Sequence, residues 1–102
     1  MTNPSQPRTA LVTGASYGIG AAIAEVLARD GYDVAITELK TDALSSTATR
    51  IKAHGRRCLE VALDVRSQAS IETCMQRVFD HFGQLDLLVN KDRKSTRLNS
   101  SH

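Results

Sequence analysis

Cysteine is scarce in this chain, with Cys58 and Cys74 its only two. No second pair and no nearby histidine completes a zinc-ligand pattern, so no metal centre is expected, and neither thiol has the histidine partner that an activated nucleophile needs. Both read as free, partly buried packing residues. Long apolar runs are also missing. Nothing approaches the roughly 18 uninterrupted apolar residues of a membrane-spanning helix, and no apolar leader segment follows the polar stretch Met1–Arg8. A cytoplasmic protein with no membrane partner is the expectation. A basic body is missing too, despite a net charge of +2: Lys91, Arg93, Lys94 and Arg97 against Asp92 place +3 in residues 91–102, which leaves −1 for the ninety before them. That body has no electrostatic footprint for nucleic acid, and none is expected as a partner.

What is present is an ordinary globular composition. Hydrophobic residues at 41% and charged residues at 24% over 102 positions suit one domain with a real core and are too few for two. After Asn90 the pattern changes abruptly: residues 91–102 follow neither a strand nor a helix period and hold one apolar side chain, Leu98. The string Asp92–His102, DRKSTRLNSSH, resembles one translated reading frame of a sequencing adapter. Residues 91–102 are therefore expected to be a non-native or disordered tail, with a basic phosphate-contacting arm as the alternative. Asn99-Ser100-Ser101 is formally a glycosylation sequon, without a secretory signal to give it meaning.

Within residues 1–90, strand-like and helix-like segments alternate. Thr9–Val12 is a short apolar strand ending at Thr13-Gly14, after which Ile19, Ala22, Ile23, Val26 and Leu27 recur at helical spacing until Asp30-Gly31. Asp33–Thr37 reads as a second strand. A helix from Thr41 or Asp42 follows, with Leu44, Ala48 and Ile51 on one face, closing at His54-Gly55. Cys58–Leu63 is a third strand. Ser67–Phe82 is a helix with a wide stripe of Ile71, Cys74, Met75, Val78, Phe79 and Phe82, capped by Gly83, and Leu85–Val89 is a fourth strand. Nearly continuous apolar strands require helices on both faces, so the pattern predicts an α/β fold with a parallel sheet, right-handed crossovers and strand order 3-2-1-4. Strand four is expected as an uncovered apolar edge.

Gly14, Gly18 and Gly20, in TGASYGIG, stand where the first strand ends and the first helix begins. Such a turn brings backbone amides close to a pyrophosphate, a side chain at the middle glycines would block the approach, and the helix N-terminus adds free N–H groups with partial positive charge. The longer gap comes first, unlike the general dinucleotide spacing. With this spacing the chain resembles the short-chain dehydrogenase/reductase family, whose pattern T-G-x-x-x-G-[IL]-G stands here as Thr13, Gly14, Gly18, Ile19, Gly20. Asp64-Val65 resembles the family's adenine-contacting pair. Leu85-Asp86-Leu87-Leu88-Val89-Asn90 resembles the lead-in to its Asn-Asn-Ala-Gly motif, which breaks at Lys91. The likeness runs from Arg8 to Asn90 and implies a Rossmann-type fold, truncated here, with Gly14, Ser16, Tyr17, Gly18, Ile19, Gly20, Glu38, Asp64, Val65 and Asn90 as coenzyme-binding residues.

Glu38, eighteen residues after Gly20 at the end of the second strand, is placed to accept hydrogen bonds from ribose hydroxyls. A 2′-phosphate about 5 Å from it would meet roughly 3 kcal/mol of repulsion per unit charge, enough for about hundredfold discrimination. NAD is therefore preferred, with NADP kept open because Lys40 stands close by. Asp64 reads equally as a helix cap, Tyr17 as an exposed turn residue, and Thr13 as an ordinary strand terminus or, as the resemblance implies, a hydroxyl tying strand one to strand four. The resemblance implies hydride transfer between nicotinamide and a carbonyl or secondary alcohol, with a Tyr-x-x-x-Lys pair and a serine handling the proton. Neither tyrosine here qualifies, since Ala21 follows Tyr17 and Ile36 follows Tyr32 at the fourth position. No catalytic residue is assigned. The expectation is the front part of an oxidoreductase acting on a small carbonyl or alcohol, its full-length parent a homo-oligomer; a stand-alone, non-catalytic dinucleotide-binding module is the alternative.

Overall fold

The computed structural model describes residues 8–91 and 96–99. The elements run β1 (Thr9–Val12), α1 (Gly18–Arg29), β2 (Asp33–Glu38), a 3-10 turn (Thr41–Leu44) leading into α2 (Ser45–Ala53), β3 (Cys58–Ala62), α3 (Gln68–Phe82), β4 (Leu87–Lys91) and β5 (Thr96–Asn99). β1 pairs in parallel with β2 and β4, and β2 with β3, so the expected order 3-2-1-4 is present. The apolar runs form strands for the reason anticipated: Thr9–Val12 and Asp33–Thr37 are buried throughout, because helices cover the sheet on both sides.

One layer places α1 and α2 against the sheet, where Ala24, Ala28, Leu44, Ala48 and Ile51 meet Val12, Val34, Ile36 and Val89. α3 lies on the opposite face, with Cys74 and Val78 against Leu11, Ala35, Val61 and Leu63. Of the stripe expected on α3, Cys74 and Val78 are buried and Met75 and Phe82 pack partly buried against the same cluster, while Ile71 and Phe79 are 36% and 45% exposed. α3 packs over β3, and its cluster also takes in Leu11, Ala35 and Leu88 from the neighbouring strands.

The end of the chain departs from expectation. Thr96–Asn99 pairs antiparallel with β4, Val89 opposite Leu98 and Asn90 opposite Arg97, so β4 has a strand on each side. A four-residue strand with a single apolar residue has no period by which a sequence reading could find it. Residues 92–95 and 100–102, and with them most of the sequon, lie outside the described residues. The N-terminal edge of the sheet is pinned by acids. Buried Asp33 accepts from the Arg57 backbone N–H at 3.0 Å and its Nε at 3.1 Å, and Asp86 accepts from the Thr9 N–H at 2.8 Å. The candidate residues gather at the opposite, C-terminal edge.

Candidate functional site

Between β1 and α1 the backbone turns through two left-handed glycines, Gly14 at φ 63° and Gly18 at φ 66°, a conformation that residues with a Cβ adopt only under strain. A Cβ on Gly18 would have no heavy atom within 4 Å, so the space outside the turn is open there. Gly20 is buried, and a Cβ on it would run into the carbonyl oxygen of Gly14, so the third glycine allows α1 to lie against its own entry turn. Tyr17 occupies the N-cap of α1 and makes no side-chain capping bond, and no acid stands in the first turn. α3 begins differently, with Ser67 accepting from the Ser70 N–H at 3.2 Å. The first turn of α1 thus presents amide donors and the positive end of the helix dipole without a side-chain acceptor. Tyr17 and Ile19, 80% and 61% exposed, flank the opening.

The turn is held from below by β2 and α2. The Ala15 N–H donates to the Thr37 carbonyl at 3.1 Å, and the buried Thr47 hydroxyl donates to the Ala15 carbonyl at 2.8 Å. Ser16 Oγ donates to Glu38 Oε2 at 2.6 Å, and Glu38 Oε1 accepts from the Leu39 N–H at 3.2 Å. Glu38 is therefore fixed beside the glycine turn. Thr47 and Leu39 were not among the sequence candidates. Thr47 had a signal, since a polar residue falls on the apolar face set by Leu44, Ala48 and Ile51; Leu39, 56% exposed at the end of β2, had only its position after Glu38.

On the other side of the turn, the Thr13 N–H reaches the Val89 carbonyl at 3.0 Å and its hydroxyl donates to Asn90 Oδ1 at 3.0 Å, which ties β1 to β4 as anticipated. Asp64 is not the cap of α3, a place taken by Ser67. Its carboxylate instead accepts from the Arg66 N–H at 3.0 Å and Nε at 3.1 Å, and these bonds to Arg66 hold its pKa below the usual carboxylate value. Val65 beside it is 56% exposed. Across the sheet, the order β3, β2, β1, β4 sets Asp64 and Val65, then Glu38, then the glycine turn with Ser16, Tyr17 and Ile19, then Asn90 along one C-terminal edge. All ten candidates share that edge.

A cavity of about 140 Å³ on the α3 face is lined by Leu11, Leu63, Ile71, Met75 and Leu88 and touches the edge at Thr13, Val65 and Asn90; neither Glu38 nor the glycine turn borders it. Burial pushes the Cys58 thiol up to about 12 and raises that of Cys74, so both are held protonated and act as packing groups. No group of three or more metal-ligating side chains occurs among the described residues, nor is any described helix long and apolar enough to cross a membrane.

A family profile described as short chain dehydrogenase matches residues 8–91. The chain belongs to that family. It is 43% identical over 83 residues to sorbitol dehydrogenase from Cereibacter sphaeroides, covering 81% of this chain and 31% of the relative. Among solved structures, a short chain dehydrogenase from Burkholderia cenocepacia J2315 in complex with NADP superposes with TM-score 0.78 at 45% identity, covering 86% of this chain and 36% of that one. An alcohol dehydrogenase from Thermococcus sibiricus complexed with 5-hydroxy-NADP gives TM-score 0.76 at 38% identity, covering 80% and 35%. The chain thus spans about a third of the length of these relatives. Short-chain dehydrogenases bind NAD(P), and this site fits such a group. The uncapped α1 terminus offers free amide donors, the space outside Gly18 is open, and the Glu38 carboxylate is fixed beside them, features that suit a diphosphate and the ribose attached to it.

Proposed function

We propose that this chain is the coenzyme-binding front part of a nicotinamide-dependent oxidoreductase that interconverts a small carbonyl compound and its secondary alcohol. The observation that carries the reading is the α1 terminus, which has no side-chain cap and no acid in its first turn, opening onto a left-handed glycine turn beside Glu38. In this proposal Gly14, Ser16, Gly18 and Ile19 hold the diphosphate by backbone amides, while Gly20 permits the packing that aims those amides outward. Glu38 accepts the adenosine ribose hydroxyls. Asp64, Val65 and Leu39 border the adenine on the β2 and β3 side, Tyr17 packs near the ribose, and Asn90, oriented by the Thr13 hydroxyl, stands on the nicotinamide side of the row. The coenzyme supplies or accepts the hydride; proton transfer belongs to a part of the protein beyond these residues.

NAD is the preferred coenzyme in this reading because Glu38 repels a 2′-phosphate. That preference differs from the NADP and 5-hydroxy-NADP bound to the two structural neighbours, and the fixed carboxylate is the reason to expect a difference. The proposal further places the enzyme in the cytoplasm as a homo-oligomer, with neither nucleic acid nor membrane as partner. Calorimetric titration of the full-length protein with NADH, NADPH and AMP tests the assignment. NADH is expected to bind at the micromolar level, AMP more weakly, and NADPH weakest of the dinucleotides. A well-folded protein with no affinity for either nicotinamide coenzyme would overturn the proposal.

A further inference from the structure

Glu38 ends a strand, and an unrestrained glutamate there would keep freedom about three side-chain bonds. Here both of its oxygens are engaged. Oε2 accepts from Ser16 Oγ at 2.6 Å, within the short range of a charge-assisted O–H···O⁻ bond, and Oε1 accepts from the Leu39 N–H at 3.2 Å. Ser16 is itself on a fixed base. Its neighbour Ala15 is bonded through its N–H to Thr37 and through its carbonyl to the buried Thr47 hydroxyl. The hydrogen bond between Ser16 and Glu38 therefore joins two immobilised segments twenty-two residues apart in sequence.

We infer that Ser16 is a specificity-determining positioning residue, whose hydroxyl clamps Glu38 against the glycine turn and so turns this corner of the site into an acceptor surface that takes ribose hydroxyls and rejects a 2′-phosphate. The inference rests on Glu38 being the ribose acceptor. A hydroxyl has one proton, and Ser16 spends it on Glu38. What remains at this corner is lone pairs, on Ser16 Oγ and on the carboxylate, which suit the donor protons of a ribose diol. A phosphate oxygen there would face those lone pairs together with a negative charge. Lys40, exposed two residues on, offers a cation near this corner, but any movement of Glu38 to make room for a phosphate requires breaking the bond to Ser16. The carboxylate alone supplies the repulsion; the serine removes the escape.

The test compares Kd values for NADH and NADPH, read by nicotinamide fluorescence at fixed ionic strength, in the full-length wild-type protein and in Ser16→Ala, Ser16→Thr and Glu38→Gln. Ser16→Ala is expected to narrow the NADH preference by roughly tenfold, the worth of one hydrogen bond to a charged group, with most of the change in NADPH. Ser16→Thr, which retains the hydroxyl, is expected to restore the wild-type ratio. Ser16→Gly also lacks the hydroxyl and repeats the test if the alanine variant is unstable. Equal weakening of both coenzymes in the hydroxyl-free variants, or an unchanged ratio, overturns the role of Ser16, since a structural defect alone moves both affinities together. A wild-type protein that binds neither coenzyme, or a ratio untouched by Glu38→Gln, overturns instead the assignment of Glu38 on which the inference stands.

Discussion

At the scale of single residues, two glycines two positions apart in the helix entry, Gly18 and Gly20, do different work, and substitution separates them. Alanine at Gly20 would press a methyl group onto the Gly14 carbonyl, a backbone atom that cannot turn aside. Gly20→Ala is expected to destabilise the fold by about 1–3 kcal/mol, as overpacking does, and to weaken coenzyme binding by displacing the turn. Alanine at Gly18 meets no atom but must hold φ at 66°. Gly18→Ala is expected to cost only about 1 kcal/mol, yet to lose coenzyme affinity more than tenfold because the methyl group enters the diphosphate space. Thermal melts read the first effect and coenzyme titration the second; a Gly18 variant that binds normally would contradict the placement. Cys58 offers a test of burial with its sign fixed in advance. Its folded-state value, raised by burial from 9.0 to about 12, favours the protonated thiol, so the associated stability is intact below pH 9 and declines as pH rises from 9 toward 12. Cys58→Val removes this contribution, and denaturation midpoints of variant and wild type are expected to converge or cross over that window. Parallel pH profiles would exclude it.

Between elements, the buried hydroxyl of Thr47 is the link from α2 to the glycine turn. Replacing it with the isosteric valine leaves the Ala15 carbonyl without its partner in a dry setting. Thr47→Val is expected to cost about 1–3 kcal/mol and to raise the coenzyme Kd severalfold although Thr47 borders no open surface. Equilibrium denaturation with a parallel titration checks both, and a variant with unchanged Kd would remove α2 from the positioning of the turn. The same residue marks the boundary of what sequence could tell. Strand order, the three helices and the row of ten edge residues were legible because each follows from apolar period, glycine position or motif spacing. Thr47 stood out only as a polar residue on an apolar helix face; its function, a contact thirty-two residues away, is not encoded by that pattern. The exposure of Phe79 and Ile71 was equally hidden, since a stripe reveals that a helix has an apolar face but not how much of that face the described residues cover. β5 was missed for the opposite reason: its pairing is a backbone matter with β4, and its side chains carry almost no pattern.

For the whole molecule, the sheet is unequal at its two ends. Its N-terminal edge is closed by Asp33 with Arg57 and by Asp86 with the Thr9 amide, while its C-terminal edge gathers an uncapped helix terminus, a left-handed turn and a clamped carboxylate. A ligand at the second edge touches the ends of several strands at once and binds the native state alone, because the unfolded chain has no such row. Binding must therefore appear as stability. At one hundred times its Kd a single-site ligand adds about 2.7 kcal/mol, which for a protein of 150–250 residues raises Tm by about 5–10 °C. Scanning calorimetry of the full-length protein with NADH is expected to show a rise of that size. On the proposed preference for NAD, NADPH at the same concentration is expected to give a distinctly smaller one, since the shift depends on the logarithm of concentration over Kd. Equal shifts from the two coenzymes would mean that the 2′-phosphate never meets Glu38, and the orientation of the dinucleotide along this edge would have to be redrawn.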